Sequence, residues 1–411
     1  MVEPSDIVVS KLGAKGDGVA SADGDQIFIP FALPGETWRQ GEGWERLSDS
    51  PDRIEPVCPH FGVCGGCIAQ HMSAALYHDW KLDSVRQAFN HQGLDVEPVL
   101  SEAFPVSSRR RCSLTAKKTR TGVVLGYLAA RSHTIVELAA CPILISDISS
   151  KLDVLRELSA ILVAPNGTLR IDVLSASNGL DVALHGDHLP LGPELRVRLA
   201  HLVSEAGIAR LMAGGHEIAQ LRTPIVNCSG VEVAVHPNAF LQAVEAAEAE
   251  LASLVVQHVG RAKAVGDLFC GIGTFAFALA RKAKVLALDS DRASIETLMA
   301  ARDRAQKLKP IDARVRDLFR EPLSRKELEG LDCVVFDPPR AGAEGQARMI
   351  AKSQVPRVVA VSCNPATLAR DVRHLVEGGY QLEALHTVDQ FRFSAHVECV
   401  AALSRPKARR R

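Results

Sequence analysis

The sequence predicts an α/β protein whose C-terminal part forms a Rossmann-like domain. From residue 264 onward, short apolar strands alternate with helices, the order that builds a parallel sheet covered by helices. The first strand, 265–269, runs into the glycine-bearing loop Cys270-Gly-Ile-Gly-Thr274 and then into a helix. The second strand, 285–288, ends at Asp289, where a carboxylate can accept hydrogen bonds from ribose hydroxyls. These observations predict a nucleotide-type cofactor at the carboxyl edge of the sheet.

The glycine loop also indicates the kind of cofactor. Gly271 and Gly273 allow the backbone to approach a ligand closely, but the third glycine of the dinucleotide fingerprint is missing. We therefore favour S-adenosylmethionine over NAD. Further strands extend the pattern to the seven-stranded sheet of a class I methyltransferase, with the last two strands antiparallel: 332–336, 357–361, 382–388 and 397–403.

Length and composition set limits on the kind of protein. A chain of 411 residues predicts two or three domains, and 48 basic residues balance 48 acidic ones. The balance excludes a global positive field, so any nucleic-acid site must be a local patch. The N-terminus has no apolar signal region and no apolar run approaches the roughly 18 residues of a membrane span, so we expect a cytoplasmic protein with no membrane partner. Ten cysteines without a secretory signal indicate metal ligands or catalytic thiols.

The first part of the chain, residues 1–52, has the pattern of a small β-barrel. Short apolar runs at 7–9 and 26–30 alternate with closely spaced glycines. Barrels of this size often bind RNA, although a purely structural module is equally compatible with these residues.

A cluster of cysteines opens the second predicted domain, residues 53–235. The run Cys58-Pro-His-Phe-Gly-Val-Cys64-Gly-Gly-Cys67 has the spacing C-x5-C-x2-C, and Cys141 precedes a proline far downstream. Because glycines let the backbone fold tightly around a centre, the pattern predicts four thiolates on one metal site. Cysteine-only ligation suits either an iron–sulfur cluster or structural zinc, and the spacing does not separate the two.

A basic stretch follows an amphipathic helix predicted at 72–92. Residues 107–120 contain six basic side chains and no acidic one, around a strand-like centre. A solvated edge strand is one interpretation. The sharper interpretation is a surface for RNA phosphates, since basic side chains on a rigid sheet can position a nucleic-acid backbone. Five side chains are assigned to this contact: Arg109, Arg110, Arg111, Lys117 and Lys118.

The chemistry is predicted where the later strands end. Cys363 follows a β-branched strand, and Pro365 can open a helix whose N-terminus favours a thiolate. Asp337-Pro-Pro-Arg340 ends the preceding strand, and His396-Val-Glu398 lies on a later one. A cysteine and two carboxylates at one sheet edge indicate covalent catalysis.

Taken together, these features resemble the RNA (uracil-5-)methyltransferase family. The resemblance covers nearly the whole chain and rests on five motifs: Phe240-Leu-Gln242, Asp267-Leu-Phe-Cys-Gly271, Asp337-Pro-Pro-Arg-Ala-Gly342, Ser362-Cys-Asn-Pro365 and His396-Val-Glu398. It implies a TRAM-like OB barrel at 1–52, a central α+β iron–sulfur domain at 53–235 and a methyltransferase domain at 236–411. It also favours a [4Fe-4S] cluster over zinc for the four cysteines.

The resemblance further implies roles for single residues. Cys363 would be the nucleophile and Glu398 the general base. Two positions depart from the family pattern, because Asp289 stands where glutamate is usual and Thr274 where asparagine is. Contacts with the cofactor or the target base are implied for Gln242, Phe269, Gly271, Gly273, Asp289, Asp317 and Asp337.

The chemistry of uracil explains why a cysteine and a carboxylate would be needed. C5 of uracil is too weak a nucleophile to take a methyl group directly. A Cys363 thiolate that adds to C6 would turn C5 into an enolate-like carbon. Glu398 would later remove the C5 proton so that the thiol can leave. Because the pocket is buried, we expect the base to be flipped out of its stack.

The predicted function is therefore S-adenosylmethionine-dependent methylation of C5 of a specific uridine in RNA by a monomeric enzyme, with 23S rRNA favoured over tRNA. The alternatives are a cytosine-5 or amino-group methyltransferase, or a non-catalytic iron–sulfur protein that binds RNA. Amino-group enzymes need no thiol, and cytosine-5 enzymes place theirs after a proline, whereas Cys363 follows Ser362. A non-catalytic protein would not need both Cys363 and Glu398.

Overall fold

The computed structural model describes residues 6–22, 24–101 and 103–406. Its first segment forms two small antiparallel sheets of three strands each, β1-β5-β6 and β2-β3-β4, around a shared core that includes Ile7, Ile29 and Trp38. Arg53, just beyond this segment, pairs with the buried carboxylate of Glu36 at 2.5 Å. The strands are β1 (Asp6–Val8), β2 (Lys11–Leu12), β3 (Gly18–Ala22), β4 (Asp25–Ile29), β5 (Thr37–Gln40) and β6 (Trp44–Arg46).

A seven-stranded sheet with helices on one face forms the middle of the molecule. It contains β8 (Arg111–Lys118), β9 (Val123–Leu128), β10 (Ile135–Glu137), β11 (Thr168–Ala176), β12 (Gly179–Gly186), β13 (Arg210–Ala213) and β14 (His216–Gln220), in the order β10-β9-β8-β11-β12-β13-β14. A separate hairpin follows, β15 (Ile225–Cys228) and β16 (Val231–Ala234). The helices of this part are α2 (Ser146–Ser149), α3 (Leu152–Leu162) and α4 (Pro193–Ala206).

An eight-stranded sheet carries the C-terminal part, in the order β19-β18-β17-β20-β21-β23-β22-β7. Its strands are β7 (Val99–Leu100), β17 (Ala264–Leu268), β18 (Lys284–Asp289), β19 (Ile311–Val315), β20 (Cys333–Phe336), β21 (Arg357–Ser362), β22 (Gln381–Val388) and β23 (Glu398–Ser404). The helices are α1 (Ala74–Asn90), α5 (Glu245–Val259), α6 (Thr274–Ala280), α7 (Arg292–Arg304), α8 (Arg325–Leu328), α9 (Glu344–Ala351) and α10 (Pro365–Glu377). The alternating pattern of strands and helices predicted from residue 264 onward is confirmed, as is the antiparallel pair at the end of the chain.

The expected count of seven strands is wrong by one. The eighth strand, β7, comes from the middle part of the chain and pairs in parallel with β22, with Val99 opposite His386. The preceding helix α1 also packs here, because Val85 and Phe89 belong to the same core as α9 and α10. The segment from α1 to β7 therefore lies against the C-terminal sheet, although the sequence pattern placed it with residues 53–235.

Helix boundaries follow from local capping. The hydroxyl of Ser73 accepts a hydrogen bond from the Leu76 N–H at the start of α1. Asp291 accepts two backbone hydrogen bonds at the start of α7, and Asn364 caps α10 immediately before Pro365.

Apolar side chains cover both faces of the C-terminal sheet in two separate cores. Within the described ranges, no helix has the length and apolar character needed to cross a membrane.

Candidate active site

Asp337, Cys363 and Glu398 lie at one edge of the C-terminal sheet. Asp337 directly follows β20, Cys363 directly follows β21, and Glu398 is the first residue of β23. Because β23 runs antiparallel to β21, with Cys399 opposite Ser362, the beginning of β23 meets the end of β21. The structure thus brings together the three side chains that the motifs singled out, at the edge where open α/β sheets bind ligands.

The Cys363 thiol is protonated at neutral pH in this arrangement. Burial raises the pKa of Cys363 to about 11, and the neighbouring carboxyl groups of Glu398 and Asp337 add to the shift while Arg340 partly opposes it. The start of α10 was expected to favour a thiolate, whereas burial and the two acidic neighbours act in the opposite direction and favour the neutral thiol. A proton must leave Cys363 before it can act as a nucleophile.

The two carboxyl groups are also perturbed. Burial raises the pKa of Asp337 to about 7. For Glu398, burial raises the pKa well above its ordinary range, the charge of Asp337 raises it further, and Gln390 and Arg111 act in the opposite direction. Carboxyl groups with raised pKa values in a buried cleft are suited to proton transfer near neutral pH.

A chain of buried side-chain amides joins these carboxyl groups. Gln242 donates from Nε2 to Oδ2 of Asp337 at 3.3 Å. Gln390 donates from Nε2 to Oε1 of Gln242 at 2.6 Å and to Oε1 of Glu398 at 2.9 Å. Oε2 of Glu398 is buried and has no hydrogen-bond partner among the described residues. One oxygen of Glu398 is thus held and the other is free. Gln390 was not singled out from the sequence, where a polar residue between two strands carries no distinctive signal.

The predicted cofactor loop adopts an unusual backbone. Phe269, Gly271 and Gly273 all have positive φ angles, of 62°, 52° and 101°. Such angles cost free energy for a residue with a side chain, so Phe269 is held in place by its surroundings. The N–H of Gly271 donates to Oδ2 of Asp289 at 2.9 Å. A Cβ atom on Gly273 would lie 2.8 Å from the ring of Phe277, which explains the need for glycine there. The glycine loop and Asp289, both parts of the predicted cofactor site, are therefore in direct contact.

Asp317 lies beyond β19 at the same edge. Its Oδ1 accepts the N–H of Phe319 at 3.0 Å, and its carboxylate pairs with Arg320. This turn directs the ring of Phe319, which is 55% exposed, to within 5.4 Å of the ring of Phe269. Sequence reasoning missed Phe319, but the repeated tripeptide Asp-Leu-Phe at 267–269 and 317–319 was a signal that could have found it.

Asp267 is a third residue that sequence reasoning left without a role. Its carboxyl group is completely buried, and neither oxygen has a hydrogen-bond partner among the described residues. Burial raises its pKa well above the usual range, and the charges of Asp337 and Asp289 raise it further. A buried carboxyl group without partners, next to the glycine loop, is a feature expected of a ligand site.

The four predicted metal-binding cysteines line one cavity of about 280 Å³. Gly65 allows the cysteine loop to pass close to the backbone at Leu128, because a Cβ atom there would lie 2.8 Å from the carbonyl oxygen of Leu128. Burial raises the pKa of Cys67 to about 11 and that of Cys141 to about 12. Within the described residues, no three Cys, His, Asp or Glu side chains converge closely enough to hold a single metal ion. The four thiols instead line the wall of the cavity.

Other walls of the cysteine cavity connect it to the active site. Phe391, Arg392, Ser394 and His396, from the loop that precedes Glu398, line it on one side. Arg109 lines it on another side and also lines a second cavity of about 370 Å³, which reaches the exposed ring of Phe240. The cysteine cavity therefore lies directly beside the loop that carries Glu398.

The basic stretch divides into several environments. Arg110 is only 4% exposed, and its guanidinium donates to Glu248 at 2.8 Å and to the Gln242 carbonyl at 3.1 Å. Its assignment to RNA phosphates is wrong, because its charge is already paired inside the protein. Arg111 is mostly buried, with its guanidinium 4.4 Å from the centre of the Phe240 ring. Arg111 thus faces the active site.

Alternation along β8 separates the two lysines. Lys117 points to the exposed face together with Ser113 and Thr115, whereas Lys118 points to the opposite face and donates to the Ala160 carbonyl of α3 at 3.4 Å. The prediction that both lysines share one surface is wrong. The edge-strand interpretation is wrong too, since β8 lies between β9 and β11. Of the five assigned side chains, the exposed Lys117 and the half-buried Arg109, which lines two cavities, remain candidates for contact with RNA.

Comparison with known proteins gives a consistent result. Residues 226–406 match the family model described as tRNA (Uracil-5-)-methyltransferase. The chain is 43% identical to an uncharacterized RNA methyltransferase of Brucella suis biovar 1, over 97% of both chains. It is 32% identical to the 23S rRNA (uracil(1939)-C(5))-methyltransferase RlmD of Edwardsiella ictaluri, over 96% of this chain and 94% of that one.

Among solved structures, the Pyrococcus abyssi tRNA (uracil-54, C5)-methyltransferase in complex with S-adenosyl-L-homocysteine has a similar fold. The TM-score is 0.74 at 23% sequence identity, and the match covers 97% of this chain and 100% of that one. At this level of identity the likeness shows the fold.

Proposed function

Because this chain belongs to the tRNA (uracil-5-)methyltransferase family and is an RNA (uracil-5-)methyltransferase, we propose that it methylates C5 of one specific uridine in 23S rRNA with S-adenosylmethionine as methyl donor. Family membership sets aside the cytosine-5, amino-group and non-catalytic alternatives. The choice of 23S rRNA rests on the named activity of the Edwardsiella relative. Transfer RNA is the second candidate, since it appears in the description of the family model.

The observation that carries the proposal is the meeting of a cysteine and two carboxyl groups at one sheet edge. We assign the nucleophile to Cys363, which loses its thiol proton to solvent and whose Sγ then adds to C6 of the uracil. The electron pair of the C5–C6 double bond then makes C5 nucleophilic, and C5 takes the methyl group that the cofactor supplies. The base role goes to Glu398, whose free Oε2 takes the C5 proton after methylation. The C6–S bond then breaks and the double bond re-forms, which releases the RNA.

The glycine loop and its neighbours fit a bound S-adenosylmethionine, which supplies the methyl group. Asp289 holds the loop through the N–H of Gly271, and its carboxylate is placed at the sheet edge for the ribose hydroxyls. We assign the paired rings of Phe269 and Phe319 to the flat adenine. The unpartnered carboxyl group of Asp267 suits a cationic or hydrogen-bond-donating part of the ligand. Gln242 completes the proposed site on the cofactor side, and Asp337 completes it on the side of the target base.

An assay with unmodified RNA tests the proposed function. The purified protein is incubated with cofactor carrying a labelled methyl group and with an in vitro transcript of 23S rRNA, which has no 5-methyluridine. We expect one labelled 5-methyluridine, located by nuclease mapping. A tRNA transcript serves as the comparison. Label in tRNA alone would move the substrate to tRNA, and label on an exocyclic amine or on cytosine would contradict the proposal.

We further propose that Cys58, Cys64, Cys67 and Cys141 hold a [4Fe-4S] cluster. The support is a cavity of about 280 Å³ with the four thiols on its walls, whereas a tetrahedral zinc site would bring the sulfur atoms to within about 4 Å of one another around a single ion. The Gly66 N–H lies 3.4 Å from the sulfur of Cys64, and the side chain of Gln70 accepts the N–H of Cys58 at 3.0 Å. Bound there, a cluster would tie the loop at 58–67 to Cys141 as a structural centre.

Metal analysis should distinguish a cluster from zinc. Protein purified without oxygen should be brown and contain about four irons and four sulfides per chain. Cys64→Ser should lose most of the iron, because one of four ligands is missing. Cys112→Ser is the matched control, since Cys112 is a buried thiol that lines the same cavity and is outside the proposed ligand set. Stoichiometric zinc without sulfide, or equal iron loss in both variants, would contradict the assignment.

The RNA surface is proposed on the exposed face of β8 and β11. Lys117 is exposed on this face of β8, Arg109 lies just before β8 and lines the cavity that reaches Phe240, and Arg170 on β11 lies opposite Thr115 of β8. Phe240 is 63% exposed nearby and offers a ring on which a base can stack. A TRAM-like barrel at residues 1–52 is proposed as a further RNA contact.

Neutralising two of these charges should change how RNA binding depends on salt. In Arg109→Gln/Lys117→Gln, two phosphate contacts are lost, so the slope of log affinity against log salt should become less steep by about 1.4 to 1.8. Lys118→Gln is the control, because Lys118 is the next residue on the same strand but points to the other face. The slope is measured by filter binding at several salt concentrations. An equal effect of both variants would argue against a specific RNA face.

A further inference from the structure

We propose that Gln390 is a positioning residue, whose single side-chain amide sets both the oxygen of Glu398 that takes the C5 proton and the orientation of Gln242 on the cofactor side. The inference rests on the proposed function and extends it to a residue between β22 and β23 that lies outside the five motifs named above. Gln390 is 2% exposed, so its amide is shielded from water and its hydrogen bonds are fixed by the protein.

The orientation of the Gln390 amide is determined by the backbone. The N–H of Ala243 donates to Oε1 of Gln390 at 2.8 Å, so this atom must be the acceptor and the NH2 group must point the other way. There it meets two acceptors, Oε1 of Gln242 at 2.6 Å and Oε1 of Glu398 at 2.9 Å. Both N–H donors and the oxygen of Gln390 are therefore used. No rotated form of the amide satisfies the same three partners.

The consequences reach both ends of the active site. Because Oε1 of Gln242 accepts from Gln390, the NH2 group of Gln242 is turned toward Oδ2 of Asp337, at 3.3 Å. Because Oε1 of Glu398 accepts from Gln390, the remaining oxygen, Oε2, is left free. A hydrogen bond donated to a carboxylate also favours its ionised form, which is the form that a base needs. One amide thus prepares Glu398 as a base and Gln242 as a binding group.

The backbone around Gln390 is held by helix α1, which lies far earlier in the chain. The preceding residue, Asp389, accepts from Nζ of Lys81 at 2.9 Å and from the hydroxyl of Tyr77 at 2.5 Å, both on α1. Lys81 is 1% exposed and also donates to the carbonyl oxygen of His396 at 2.6 Å. Helix α1 therefore clamps both ends of the loop between Gln390 and Glu398.

The test follows the covalent complex between protein and RNA in single-turnover reactions with the labelled methyl group. In Gln390→Leu, the methyl group should still be transferred, but the complex should break down about 10- to 100-fold more slowly, the range expected for losing one hydrogen bond to a charged group. The pH at which breakdown reaches half its maximal rate should rise, because Glu398 loses a donor that favours its ionised form. The affinity for S-adenosylmethionine, measured by equilibrium dialysis, should fall as well, since Gln242 loses its partner.

Gln242→Leu is the matched comparison. It removes the other partner of Gln390 and leaves the bond between Gln390 and Glu398, so it should weaken cofactor binding without slowing breakdown of the complex. A merely structural role for Gln390 would slow every step and leave the pH midpoint unchanged. Gln390→Glu covers the case in which the leucine variant does not fold. It keeps the volume and the acceptor for Ala243, removes the NH2 donors, and should also slow breakdown.

The result distinguishes this inference from the proposed function. If the wild-type protein forms no covalent complex with RNA and transfers no methyl group, the proposed function fails. If the wild type reacts as proposed, but folded Gln390→Leu and Gln390→Glu release RNA at the wild-type rate with an unchanged pH midpoint, only the role of Gln390 is overturned. The same follows if Gln242→Leu traps the complex as strongly as Gln390→Leu.

Discussion

Replacing Cys363 with alanine is expected to abolish methyl transfer to RNA and to eliminate the covalent complex. C5 of uracil becomes nucleophilic only after a sulfur atom has added to C6, so without the thiol no later step can occur. Removal of a nucleophile lowers kcat by about 10⁴- to 10⁶-fold in enzymes that depend on one. The measurement is incorporation of labelled methyl groups into a 23S rRNA transcript, together with gel electrophoresis for a heat-stable complex.

Two further measurements show whether Cys363→Ala affects only the chemical step. Cofactor affinity and the thermal unfolding temperature should stay close to the wild-type values, because Cys363 is half-buried and belongs to neither hydrophobic core of the C-terminal sheet. Cys399→Ala is the matched control, since Cys399 is a neighbouring buried thiol whose side chain belongs to the core. It should lose stability and keep methyl transfer. Retained methylation in Cys363→Ala would point to direct transfer without a covalent step.

The raised pKa of Cys363 predicts that the rate of covalent complex formation depends on pH. Because its value of about 11 lies above the assay range, the thiolate fraction of the free protein should grow about tenfold per pH unit from pH 7 to 9. The initial rate of complex formation with RNA should rise in parallel. A rate that does not change with pH would show that RNA binding itself removes the proton before addition.

Replacing Glu398 with glutamine should trap the reaction after methyl transfer. The amide cannot take the C5 proton, so the C6–S bond persists and protein accumulates on the RNA with the methyl label attached. General base catalysis contributes about 10²- to 10⁴-fold, and release of RNA should slow by a similar factor. The measurement is the half-life of the labelled complex on denaturing gels after excess unlabelled cofactor is added.

Glu248→Gln is a useful comparison for Glu398→Gln. Glu248 is also a buried carboxyl group, but it pairs with Arg110 beneath the site and cannot reach the base. Its substitution should lower stability, because a buried arginine loses its partner, and should leave no trapped complex. Normal turnover in Glu398→Gln, or the same trapped complex in both variants, would remove Glu398 from the role of base.

Much of the site was predictable because chain order and sheet topology are coupled. In a parallel α/β sheet, every strand that ends in a loop delivers that loop to the same edge. The positions of Asp289, Asp337 and Cys363 therefore follow from reading strands in the sequence. Glu398 joins them because the last two strands are antiparallel, which the pattern at 382–388 and 397–403 also indicated. No knowledge of packing was required for these placements.

Other features depended on which face of an element is buried. Arg110 and Arg111 are adjacent in sequence and equally basic. Arg110 is buried in an ion pair with Glu248, however, whereas Arg111 packs against the ring of Phe240. Lys117 and Lys118 diverge because side chains alternate along β8, and only the position of α3 decides which face is covered. Counting charges in a run could not separate these four residues.

The sequence by itself determined the alternating strand order, the edge at which the motif residues meet and the family to which the chain belongs. Tertiary structure alone decided the pKa values at that edge and the bridge from Gln390 to Glu398 and Gln242. It also decided the attachment of α1 and β7 to the C-terminal sheet. The physical reason is distance along the chain. Lys81 and Asp389 lie 308 residues apart and Gln242 and Gln390 lie 148 apart. Local patterns of polarity and spacing report on neighbours in sequence, whereas burial and hydrogen-bond partners are set by whichever elements pack together.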